Sequence, residues 1–155
     1  MFVETQQAAT TPGFYLRPRP TGFAVHMTAC AAHLHDVREL ADKALTETDV
    51  SAGTSYTVQW VVSELVGNAV RACGDHVPLV VEIEAEESGV AVRVHDPERD
   101  LMPSRRPIAL DDDSAQTGRG LGLLDILVPG WHVHPTPVGK QIVCHVPHAE
   151  GDDRA

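Results

Sequence analysis

The chain has 155 residues, 43% of them hydrophobic, and sets 12 basic side chains against 22 acidic ones for a formal net charge of −10. That length carries one domain with a proper core and excludes two comfortable ones. The negative balance repels nucleic-acid phosphates and anionic membrane surfaces, and no run of Lys or Arg supplies a local basic patch, so neither kind of partner is expected.

Residues 1–20, with QQAATTPG and RPRP, carry too little apolar material for a core element and are expected to be disordered. From Gly22 the run GFAVHMTA reads as a strand. Leu34, Val37, Leu40, Ala41, Ala44 and Leu45 then recur at helical spacing over roughly 30–47. After a polar connection, residues 55–73 form a second helix that Gly74 and Asp75 stop. LVVEIEAEESGVAVRVHD alternates in the strand period, with Leu79, Val81, Ile83 and Ala85 on one face and Val90, Val92 and Val94 following a turn at Ser88-Gly89. Residues 97–117 hold three prolines and a DDD run with no steady period, a functional or mobile loop. A short helix, LGLLDIL, and a last hairpin follow, with strands near 131–135 and 141–146 turning at Val138-Gly139-Lys140. The tail from 149 to 155 is polar and expected to be disordered. The order predicts an α+β two-layer sandwich over 21–148, a mixed, mostly antiparallel sheet with helices on one face.

Several patterns could carry chemistry. In SELVGNAVRA, Glu64, Asn68 and Arg71 fall within about 60° on a helical projection and border the apolar stripe of Val58, Val62, Leu65, Ala69 and Ala72. A carboxylate, an amide and a guanidinium in a row suit a base, a metal ligand and a phosphate clamp; they also suit a solvated helix face. Gly67 beside them costs a helix about 1 kcal/mol relative to Ala, which suggests a close approach to the backbone. Asp96 continues the parity of Val90, Val92 and Val94, so it puts a carboxylate on the buried face, either toward a ligand or as a cap of loop N–H groups. Gly118, Gly120 and Gly122 in TGRGLGLLDIL run into a helix start that favours an anion or is simply flexible. They follow DDDSAQT late in the chain rather than a buried strand, which removes a dinucleotide fingerprint, and no GxxxxGK[ST] loop occurs.

Other chemistries lack a signature. His33 and His35 are two apart on a helix and point different ways; His132 and His134 share a strand face, yet no Cys or carboxylate completes a zinc set. Neither GxSxG nor a Cys/His nucleophile pattern is present. Cys30, Cys73 and Cys144 are odd in number and without CxxC spacing, so they read as reduced packing residues. With no signal-peptide order and no apolar run of bilayer length, a cytoplasmic location is expected.

Taken in order, SELVGNAVRA, VRVHDP and TGRGLGLLDIL resemble the N, G1 and G2 boxes of the histidine-kinase-like (GHKL) ATPase superfamily, and most of all its small single-domain anti-sigma-factor serine kinases. The resemblance covers about residues 22–147 and implies a Bergerat-type ATP-binding fold, with ATP and Mg²⁺ as cofactors. It implies that Glu64 activates a water or a substrate hydroxyl, that Asn68 holds Mg²⁺, and that Arg71 contacts phosphate. It further implies that Asp96 accepts from the adenine amino group and that Gly118, Gly120 and Gly122 wrap the phosphates. The partner it implies is a protein, a sigma factor or an anti-sigma antagonist, with a homodimer as one form. Lys140 resembles the family's GK turn, though a plain solvated hairpin Lys is the expectation here. The chain departs from the family where a DxGxG G1 box would stand: Asp96-Pro97-Glu98-Arg99-Asp100 has no glycine, and Glu98 adds charge where nucleotide passes, which predicts weak affinity. The alternative is a degenerate, nucleotide-gated or nucleotide-free interaction module.

Overall fold

The computed structural model describes residues 12–98, 122 and 124–149. Two hairpin-linked strands open it, β1 (Phe14–Arg19) and β2 (Gly22–Thr28); the helices α1 (Ala31–Glu47) and α2 (Ala52–Cys73) follow, then β3 (Pro78–Glu86), β4 (Gly89–Asp96), β5 (His132–Thr136) and β6 (Gly139–Pro147). The six strands form one sheet in the order β1-β2-β3-β4-β6-β5, and every neighbouring pair is antiparallel. Among the described residues β1 and β5 are its edges.

Alternation builds the layer between sheet and helices. Val25, Met27, Leu79, Val81, Ile83, Val90, Val92, Val94, Ile142, Cys144 and Val146 all point into one buried cluster, and α1 and α2 cover them. Helix α1 contributes Val37, Ala41 and Leu45 at four-residue spacing. Helix α2 contributes a broader stripe than its sequence suggests, since Val61 and Val66 are buried beside Val58, Val62, Leu65 and Ala69. The helix also starts earlier than expected, at Ala52, because the Ser51 side chain accepts the Thr54 N–H at 3.2 Å and caps it. Among the described residues no helix is long and apolar enough to cross a membrane.

Three expectations are corrected. Residues 14–19, read as part of a disordered segment, are a strand; β1 needs little apolar material because as an edge strand it buries only Phe14, whose ring lies 5.3 Å from that of His33. His33 itself is buried, its Nδ1 2.6 Å from the Thr28 carbonyl oxygen. The last turn is at 137–138 rather than 138–140, so Lys140 is a strand residue opposite Asp96 and is not solvated. The loop beyond Glu98, with Gly118 and Gly120, lies outside the described residues, as does the tail beyond residue 149.

Candidate functional site

Helix α2 presents Glu64, Asn68 and Arg71 along one face, graded by their angle to the core stripe. Glu64 and Asn68 are half-buried and Arg71 is exposed. On a helical wheel Asn68 lies only about 20° from buried Val61, so its amide sits at the rim of the core. Neither Glu64 nor Asn68 makes a hydrogen bond or ion pair among the described residues. Half-buried polar groups ordinarily find partners, and groups that do not are open to a ligand, a metal ion or water. Gly67, between them, is covered by Arg71: a Cβ there would stand 3.2 Å from a guanidinium nitrogen of that side chain. The close approach that the glycine suggested is thus made in part by Arg71 itself.

At the end of β4 the Asp96 side chain is 2% exposed and lies opposite Lys140, 1% exposed, with Lys140 Nζ 2.9 Å from Asp96 Oδ1. The same oxygen accepts the Glu98 N–H at 2.8 Å, and Lys140 Nζ donates also to the Glu98 carbonyl at 2.7 Å. The Cys73 thiol, from the last turn of α2, approaches Oδ1 at 3.9 Å and ties the helix to the strand end. Burial raises the pKa of that thiol above its ordinary value, and the Asp96 charge raises it further against the opposing pull of Lys140. All protein contacts to Asp96 converge on Oδ1; among the described residues no hydrogen bond reaches Oδ2.

Gly139 makes the strand pairing here possible. Its φ is +150°, and a Cβ on it would stand within bonding distance of the Asp96 carbonyl oxygen, so only a residue without one lets β6 close on the end of β4.

Of the glycine-rich stretch only Gly122 is described, helical and exposed with open space about it. The residues after it are anchored firmly. Leu124, Val128 and Trp131 are buried, and Trp131 Nε1 donates to Asp125 Oδ1 at 2.6 Å.

Two other features stand apart from these residues. A cavity of about 340 Å³ is lined by the outward-facing Tyr15, His26, Val80 and His95 of the sheet, with no α2 residue in its wall. On α1, His35, Asp36 and Glu39 bring donor atoms within 4.8 Å of one another, with His35 and Glu39 exposed and 3.3 Å apart as an i,i+4 pair.

The comparison that decides the family concerns nearly the whole described fold: the histidine kinase-like ATPase domain matches residues 27–145. The chain belongs to this family. No curated protein matches it. The six-stranded antiparallel sheet with both helices on one face is the α+β sandwich of a histidine kinase-like ATPase, and membership makes this an ATP-binding type of regulatory domain.

The residues available to a histidine kinase-like ATPase for its cofactors fit that chemistry. A carboxylate with one oxygen that no described residue hydrogen-bonds suits a heterocyclic amine, and an amide beside a carboxylate, neither of them bonded among the described residues, suits a hydrated Mg²⁺ with phosphates. Two participants at the strand end were not recognised from sequence as part of this constellation. Lys140 shares the parity of Ile142, Cys144 and Val146, a signal that was there to read; Cys73 carried no signal beyond its place on the helix.

Proposed function

We propose that the protein is an ATP- and Mg²⁺-binding regulator similar to the anti-sigma-factor serine/threonine kinases, acting through a protein partner in transcriptional control. The observation that carries this reading is the buried Asp96 carboxylate, whose Oδ1 takes every hydrogen bond that the described residues make to it and whose Oδ2 takes none of them, at the end of the strand against which α2 packs. In this reading Oδ2 accepts from the adenine amino group, Asn68 ligates Mg²⁺, Arg71 reaches phosphate, and Gly118, Gly120 and Gly122 close over the phosphates. Bound Mg²⁺ would neutralise charge on the triphosphate. Glu64 would orient the hydroxyl of a serine or threonine on an antagonist, or a water, and take its proton.

Titration of Mg-ATP into the wild type, Asp96→Ala and Asn68→Ala tests the site. Both variants should bind more weakly, and unchanged affinity in both overturns the assignment. Glu64→Ala should bind ATP and fail to transfer phosphate to a cognate antagonist.

One observation favours a second reading, a nucleotide-gated module without turnover. Glu98 and Asp100 stand where the glycines of a DxGxG box would, and the Glu98 backbone is held on both sides, its N–H by Asp96 and its carbonyl by Lys140. Tight Mg-ATP binding with no phosphate release would select that reading.

A further inference from the structure

The buried lysine at the start of β6 has no part in the roles set out above. Lys140 is among the largest fully buried side chains of the chain, and burying an ammonium is costly unless it is paired and hydrogen-bonded. Its two contacts are both on the segment that would meet a base: Asp96 Oδ1 at 2.9 Å and the Glu98 carbonyl at 2.7 Å. With the Glu98 N–H on the same Oδ1 at 2.8 Å, Asp96, Pro97 and Glu98 are folded into a closed turn around the ammonium group.

We propose that Lys140 is the positioning residue for base recognition, holding Asp96 as an acceptor-only group with one oxygen occupied, so that the pocket takes a heterocycle that offers an amino donor and rejects one that offers an oxo acceptor. This rests on the nucleotide reading of the site. The reasoning is one of donor count. Asp96 Oδ1 already takes the ammonium and a backbone N–H, so the carboxylate cannot rotate without breaking both bonds, and Oδ2 is left at one fixed place. Without the ammonium, Oδ1 keeps only the Glu98 N–H and the weak thiol contact, the carboxylate is free to turn, and Oδ2 no longer meets an amino group at a fixed place, so the distinction between amino and oxo partners is lost. The clamp also does the work of a tight glycine turn by a different route. Here a side chain from the neighbouring strand, rather than a permissive backbone, sets the path of residues 96–98.

The experiment is calorimetric titration of Mg-ADP and Mg-IDP, which differ in a 6-amino against a 6-oxo group, into the wild type and Lys140→Met. The wild type should prefer ADP by about tenfold or more, and the variant should bind the two within about threefold of each other. A wild type that binds neither nucleotide overturns the nucleotide reading itself. A wild type that binds and a folded variant that keeps the full ADP preference overturn the role of Lys140 alone, even if both affinities fall. A second measurement needs no variant. Amide hydrogen exchange at Glu98 in the nucleotide-free wild type should be at least about tenfold slower than in an unstructured peptide, and exchange at the peptide rate overturns the proposal.

Discussion

The Cys73 thiol on the last turn of α2 lies 3.9 Å from Asp96 Oδ1 at the end of β4. Burial first, and the Asp96 charge second, hold the thiol pKa up. A group that binds its proton more tightly when folded contributes stability that is whole below the unfolded value, about 8.5 for cysteine, and lost as pH rises through the folded one. Denaturation midpoints should therefore fall above about pH 8.5 by more in the wild type than in Cys73→Ala. In a Cys30→Ser background, Asp96→Asn should speed alkylation of Cys73 at pH 8, because it removes the second cause and leaves Lys140 to favour the thiolate.

The Asp96–Lys140 pair should be costly to break and cheap to replace. Lys140→Met leaves a buried carboxylate without its counter-charge and should lower unfolding free energy by about 3–5 kcal/mol, while Asp96→Asn with Lys140→Met should recover most of that loss. Urea denaturation of the two single variants and the double variant measures the coupling directly.

Two glycines should answer alanine in opposite directions. At Gly139 the new Cβ would run into the Asp96 carbonyl at a φ of +150°, and the variant should lose about 2 kcal/mol or more. At Gly67 the nearest atom is the far end of the Arg71 side chain, which can swing away, so alanine should gain up to about 1 kcal/mol through helix propensity. Thermal denaturation of the two variants distinguishes them. A stabilised Gly67→Ala with weakened ATP binding would mark the glycine as a site for ligand approach.

Asn68 should carry the metal dependence of binding. Removal of Mg²⁺ with EDTA should weaken ATP binding by about tenfold or more in the wild type and by less than about twofold in Asn68→Ala. Equal dependence in both proteins would place the metal elsewhere.

Much of this arrangement can be read from periodicity. The parity from Val90 to Asp96 puts a carboxylate on the buried face, and the structure finds it 2% exposed. The wheel of α2 puts Glu64, Asn68 and Arg71 together at the border of the core stripe; the structure half-buries the first two and leaves Arg71 exposed. What could not be read is pairing. That Lys140 faces Asp96 depends on the register of β4 with β6, across a separation of 44 residues, and on a two-residue turn whose position shifts every later side chain by a face if moved by one. β1 was hidden for another reason. An edge strand with one face on the core and few neighbours needs only a residue such as Phe14 to hold it, so RPR can be strand and still look like linker.

The edges of the sheet have a consequence for solubility. β1 and β5 each carry a proline inside the strand, Pro18 and Pro135, which cannot donate to a ladder, and β1 flanks its proline with Arg17 and Arg19. A strand from a second molecule would meet an interrupted row of N–H groups at either side, with the Arg17 charge besides at one of them, Arg19 being paired to Glu82 at 2.9 Å. Both borders of the sheet are thus blunted against open-ended growth into aggregates.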